Sequence, residues 1–195
     1  MNYGEEYAYL YLRLNGFFPI RNFVVHRAAG TRYSYDIDLL AIRLPYVFEE
    51  TGGQDTDWDS TLLKELAPGL MTGIICEVKT GRLNDNELFN EERLGHCLDR
   101  FGFMPNFSSD QKKQVIDNKC TDFEFNGSKF QVLKLLVSNQ RSNRKDFLQL
   151  RIQHLREFIE NRVQKYEEKW QDRMFFPSVV MQDIIDRQRQ TTTPK

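Results

Sequence analysis

Two short stretches place charged side chains at strand-like spacing. In YDIDLLA, Asp36 and Asp38 stand two residues apart, and in CEVKT so do Glu77 and Lys79. Side chains two apart on a strand project from one face, so each pair is expected to face the same way. The stretch 73–78 is otherwise apolar, as in a central strand covered on both faces. Charged groups at the end of such a strand need partners or a metal ion. Side by side, Asp38 and Glu77 would form a pair of hard oxygen ligands suited to Mg2+ or Mn2+. That ion would polarise a phosphate, activate a water and steady the leaving oxygen. Lys79 would orient the water or stabilise charge on the phosphorane, with a pKa open to tuning. The plainer alternative is a set of ion pairs at a sheet edge. Glu77 and Lys79 alone do not decide between the two, because Glu-x-Lys in a strand is common. The joint pattern is more specific, since it needs an aspartate amid an apolar strand followed by an apolar strand ending in Glu-x-Lys.

Elements that could hold these residues are legible along the chain. Residues 4–15 read as a helix from Ala8, Tyr11, Leu12 and Leu14, stopped by Gly16. Strands are expected at 22–27, 33–43 and 72–79, the first two joined by a turn at 28–31, and Pro45 limits the second. Between the second and third lies an acidic, turn-rich insertion at 45–71, with a helical turn in LLKELAPGL. Loops of that length are usually functional or mobile, so a lid, a partner surface or a regulatory loop is expected there. A helix at 86–103 carries Leu88, Leu94, Leu98 and Phe101 on one stripe, and 108–116 could add a short helix. Strands at 120–125 and 129–137 flank Asn126-Gly127, a hairpin signal. Leu148, Ile152, Leu155, Ile159, Val163 and Tyr166 keep a helical period across 144–171. Pro177 breaks that helix, and 179–188 reads as a last short helix before a frayed tail. The order α-β-β-β-α-β-α predicts an α/β or α+β layer architecture, a mixed sheet flanked by helices. We read 1–195 as a single domain with a core at about 1–140 and a helical extension at 144–188.

Composition narrows the classes. The chain has 195 residues, 40% of them hydrophobic, and a net charge of −1. A protein that grips duplex DNA unaided usually carries a basic excess. A near-neutral chain therefore points to a local basic patch, or to a protein partner or second copy that supplies the grip. Cys76, Cys97 and Cys120 form no CxxC pair, which suits reduced thiols with structural roles. The acidic start and the lack of a long apolar run predict neither a signal peptide nor a membrane span, hence a cytoplasmic protein.

The ordered motifs resemble the PD-(D/E)XK nuclease superfamily, particularly its restriction-endonuclease-like and Holliday-junction-resolvase-like branches. Members often show a helix with G-E-x-x-A…L…G, a strand x-I-D-L-[LIV]-A and then E-V-K-[TS]. This chain has Gly4-Glu5-Glu6-Tyr7-Ala8 with Leu12 and Gly16, then Tyr35-Asp36-Ile37-Asp38-Leu39-Leu40-Ala41, then Cys76-Glu77-Val78-Lys79-Thr80. The match covers roughly the first 80 residues, and three motifs in order are more specific than any one. It implies an αβββαβ core and Mg- or Mn-dependent hydrolysis of DNA, with RNA as the other polymer of the same chemistry. Asp38 and Glu77 resemble the metal ligands, the Val78 carbonyl completes the set, and Lys79 resembles the active-site lysine. Glu5 resembles the helix glutamate that reaches a metal-bound water. Glu5 also shares a helical face with Ala8 and Leu12, although a glutamate there equally suits the helix dipole. The insertion at 45–71 and Asp36 depart from the pattern, and Asp36 is read as a supporting acid. An effector subunit of a bacterial defence or DNA-processing assembly is the role this implies. A catalytically silent nuclease-like binding subunit is the rival.

Other signals carry less. Asp55, Asp57 and Asp59 superficially suggest a calcium loop, but Ser60 and Leu66 stand where Gly and Glu are needed. His26, His96 and His154 lack zinc spacing. Arg82, Arg93, Lys112 and Lys113 follow the motif and could contact phosphates, as could Arg141, Arg144 and Lys145. Arg82 is favoured for lying three residues beyond Lys79. Ser138 and Asn139 are candidate polar neighbours of the site.

Overall fold

Helix α1 (Tyr3–Leu14) begins where Asn2 accepts the Glu5 N–H and the Glu5 side chain accepts the Asn2 N–H, a reciprocal cap that fixes the first turn. Tyr7, Ala8, Tyr11 and Leu12 line its buried face, as the apolar spacing predicts. Gly16, at φ +78°, turns the chain out of the helix. The computed structural model describes residues 2–25, 35–169 and 178–192. The expected turn at 28–31, His26 and the Pro177 break lie outside these residues, as does the side chain of Asp36.

Strand β1 (Phe18–Val25) pairs antiparallel with β2 (Tyr35–Arg43), which pairs antiparallel with β3 (Met71–Lys79). Helices α3 (Glu91–Phe101) and α4 (Ser109–Asp117) then lead to β4 (Cys120–Phe125) and β5 (Ser128–Ser138). β5 lies parallel to β3, so the sheet is mixed, in the order β1-β2-β3-β5-β4. The β4–β5 turn sits at Asn126 and Gly127, both with positive φ, as the Asn-Gly signal requires. α1, α5 (Ile152–Lys165) and α6 (Val179–Thr192) pack on one face, against Leu39, Ile74, Cys76 and Leu135. α3 and α4 cover the other face, against Leu40, Ile75, Phe130 and Val132. The chain is thus α/β, with an open mixed sheet between helices. Among the described residues no helix is long and apolar enough to cross a membrane.

The expected long helix at 144–171 is corrected in its first third. Leu148–Leu150 forms a sixth strand, β6, parallel to β5 through Leu135↔Leu148 and Val137↔Leu150. The helical period of Leu148 and Ile152 misled because β5 still had a free edge there, which a three-residue strand satisfies. β3 occupies one side of β5 from Phe130 to Ser138, so β4 and β6 divide the other, pairing with 128–133 and 135–137. At the junction sits Lys134, fully buried, whose amine donates to the Ile116 carbonyl at 2.5 Å and to Asp146 at 3.1 Å. The expected start of α3 at 86 also moves: Asp85–Glu87 is a 3-10 turn and Asn90 caps the helix. β1 starts earlier than expected, because Pro19 is tolerated on an edge strand.

The insertion packs as part of the core. Helix α2 (Ser60–Leu63) buries Leu62 beneath α1 and α5. Asp57 receives Lys165 Nζ at 2.6 Å and the Tyr166 hydroxyl at 2.7 Å, while buried Arg162 donates to the Gly52 and Asp57 carbonyls. Asp59 receives the Tyr11 hydroxyl at 2.7 Å and the Thr61 N–H at 2.8 Å, and lies 2.5 Å from His154 Nε2. Two of the acids that suggested a calcium loop, Asp57 and Asp59, are thus satisfied by internal partners, while Asp55 is exposed. The insertion leaves the end of β2 and re-enters at the start of β3, opposite the end that bears Lys79. A lid over the acidic residues does not fit that placement.

Candidate active site

Asp38 stands where the sheet opens. The β2–β3 ladder runs only from Arg43↔Thr72 to Leu39↔Cys76. The β1–β2 ladder omits the Asn22–Asp38 pair, where Asn22 takes φ +49°. Regular alternation breaks here as well: Ile37 joins the cluster under α3, whereas Leu39 joins the one under α1. Whether Asp36 shares a face with Asp38, as expected, lies outside the described side chains. In place of a ladder bond, Asp38 Oδ2 accepts the Val78 N–H at 2.6 Å. Both polar groups of a strand residue point at the same neighbour, so the Val78 carbonyl faces this gap too.

Glu77 lies on the α3 side of β3 and is 1% exposed. Its Oε2 accepts from Lys79 Nζ at 2.7 Å, and its Oε1 from Arg93 of α3 at 3.4 Å. Lys79 Nζ is also 3.7 Å from Asp38 Oδ2, so the two carboxylates converge on one ammonium. Burial pushes the Glu77 carboxyl above its ordinary range, although Lys79 and Arg93 pull it down. Burial would lower the Lys79 pKa, but the Glu77 and Asp38 charges outweigh it and the net shift is upward. Cys76 is pushed well up by burial, and Cys97 on α3 in the same direction, so both thiols stay protonated. All three cysteines are free.

The cluster sits at the end of the sheet where parallel β3 and β5 both finish, the place where open α/β sheets usually bind ligands. Lys79 stands opposite Ser138 in the register, and Ser138 Oγ accepts the Gln140 N–H. Gln140 in turn receives the Leu83 N–H, tying the loop after β3 to the loop after β5. α1 approaches closely: a Cβ on Gly4 would lie 2.6 Å from Thr80 Cγ2 and 2.9 Å from Val78 Cγ1. Glu5 follows Gly4 in this turn, but its carboxylate is engaged by the Asn2 N–H at 3.1 Å and Nδ2 at 2.6 Å.

Of the predicted basic contacts, Arg93 joins the cluster and Arg82 is exposed just beyond it. Lys112 lies along Gly95 of α3, and Lys113 is exposed on α4. Arg144 is a loop clip, donating to the Asp85 carbonyl at 2.5 Å and to both Asp146 oxygens. The link from Arg93 to Glu77 went unread in the sequence, since it depends on how α3 crosses the sheet.

Among the described residues no group of three or more His, Cys, Asp or Glu side chains is placed to hold a metal ion. The cluster offers two carboxylates and the Val78 carbonyl. That set fits a small hard cation that keeps most of its waters. In comparisons with family models, curated proteins and solved structures, the chain matches none.

Proposed function

We propose that the chain is a metal-dependent phosphodiester hydrolase acting on DNA, built on a restriction-endonuclease-like version of its α/β fold. The observation that carries this reading is the convergence of Asp38 and Glu77 on Lys79 at the open end of β2 and β3. Asp38, Glu77 and the Val78 carbonyl would hold Mg2+ or Mn2+, which supplies Lewis acidity toward the phosphate and the attacking water. Lys79 has a raised pKa and stays an ammonium at neutral pH. Its role is then to donate a hydrogen bond and offset phosphorane charge, not to take a proton. Asp38, fixed by the Val78 N–H, keeps one edge of its carboxylate in a set direction. Exposed Arg82 stands ready for a neighbouring phosphate.

An effector role inside a larger assembly accounts for the near-neutral charge. Phe18, Tyr46 and Phe48, all well exposed along β1 and the loop after β2, suit a protein partner. One observation favours the rival reading of a silent binding module: Lys79 and Arg93 already neutralise the two carboxylates. The deciding experiment incubates the purified chain with plasmid, linear duplex, single strands and RNA, in Mg2+ or Mn2+. Lys79→Ala and Asp38→Ala are run alongside. Metal-dependent cleavage lost in both variants supports the hydrolase; no cleavage of any polymer by the wild type sinks it.

A further inference from the structure

Glu77 divides its carboxylate between two cations of unequal grip. Lys79, on the same strand, holds Oε2 at 2.7 Å and is also drawn toward Asp38. Arg93 reaches from α3 to Oε1 at 3.4 Å, a looser contact from a longer side chain that is 20% exposed. Glu77 itself is almost wholly enclosed, so it cannot meet an incoming cation by swinging outward. A cation that uses both Asp38 and Glu77 must take over one oxygen, and Oε1 is the one more easily surrendered.

We infer that Arg93 competes with the divalent cation for Glu77 and, once displaced, binds the scissile or an adjacent phosphate. This inference rests on the metal-dependent reading of the cluster. In the resting state Arg93 keeps the cluster near charge balance and so weakens cation binding. After displacement, its planar fork faces a phosphodiester with matching geometry. Cation and nucleic acid then favour one another's binding, as linkage requires. Arg93 is in this sense a positioning and phosphate-binding residue that discourages metal loading before substrate arrives.

The test compares wild type with Arg93→Gln and Arg93→Lys as full chains. Mn2+ affinity is measured by calorimetry, and binding of a short fluorescent duplex by anisotropy in Ca2+ over a range of salt. Arg93→Gln is expected to bind Mn2+ roughly three- to tenfold tighter, since a competing positive charge is gone. It is expected to bind duplex several-fold more weakly, with a salt slope smaller by about one. Arg93→Lys should hold Mn2+ as the wild type does yet lose duplex affinity, because an ammonium keeps the charge but not the fork. This arm decides even if the glutamine variant fails to fold. Unchanged or weaker Mn2+ binding by a folded Arg93→Gln overturns the competition, and unchanged duplex binding by both variants overturns the phosphate contact. A wild type that binds no Mn2+ removes the metal-dependent reading itself, a separate failure.

Discussion

Asp38 Oδ2 accepts the Val78 N–H at 2.6 Å, at the point where the β2–β3 ladder has stopped. A side chain thus completes the hydrogen bonding of the strand that carries Glu77 and Lys79. Asp38→Ala should cost about 1–3 kcal/mol by leaving a buried N–H unpaired. Asp38→Asn keeps an acceptor and should lose less than about 1 kcal/mol, while cation binding falls in both. Urea unfolding beside Mn2+ titration checks this, and equal destabilisation by the two variants would contradict it.

Lys79→Met leaves Glu77 enclosed without its nearest cation. The Glu77 carboxyl already lies above its ordinary value of 4.5, and the variant should push it higher. The folded state then binds a proton that the unfolded chain releases, so stability falls as pH rises from the ordinary value through the raised one. The variant should lose about 1–2 kcal/mol relative to wild type near neutral pH and less near pH 5. Unfolding midpoints at the two pH values read this directly; a pH-independent penalty would count against it.

Gly4 lets α1 lie against the end of β3. Gly4→Ala places a methyl 2.6 Å from Thr80 Cγ2, and should cost about 1–3 kcal/mol through overpacking. Thr80→Ser removes that methyl, so the double variant should recover part of the loss. A non-additive pair in thermal unfolding is the expected signature.

Arg162 anchors the insertion through the Gly52 and Asp57 carbonyls. Arg162→Ala should destabilise by about 1–3 kcal/mol, because the buried Gly52 and Asp57 carbonyls lose their donor, while Lys165 and Tyr166 still hold the Asp57 carboxylate. Limited proteolysis should then cut within 45–57. Cation binding at Asp38 and Glu77 should survive at low temperature, since the insertion joins the far end of the sheet.

Acid should release the same segment. Burial alone would raise the pKa values of Asp57 and Asp59. Hydrogen bonds outweigh it, from Lys165 and Tyr166 to Asp57 and from Tyr11, Thr61 and His154 to Asp59, so both carboxyls fall below 3.8. Their stabilisation is complete above that value and is lost as pH falls through the lowered ones. Trp58, buried beside them, reports this in a Trp170→Phe background. Its fluorescence should hold steady down to about pH 4 and change below it.

The sequence made some of these relationships legible and hid others for physical reasons. Apolar patterning located α1, β3 and most of α5, because each is buried in the way its pattern requires, and the Asn126-Gly127 turn signal located the β4–β5 hairpin. Asp38, Glu77 and Lys79 were readable because charges in buried strands are rare enough to stand out. β6 was hidden, since Leu148 and Leu150 fit a helix as well as a strand until β5 offers an edge. The arginine on Glu77 and the inward turn of Asp57 were hidden too. Each depends on which helix lies across the sheet, and no local spacing records that.

Because β4 and β6 divide one side of β5, the longest strand carries a seam across the sheet. β4 and β6 each pair with β5 alone, on either side of that seam, while β3 runs past it unbroken on the other edge. Lys134 is the rivet at that seam, joining Ile116 on one side to Asp146 on the other. One buried amine therefore ties the hairpin end to the segment that leads into β6, where no pairing between β4 and β6 does so.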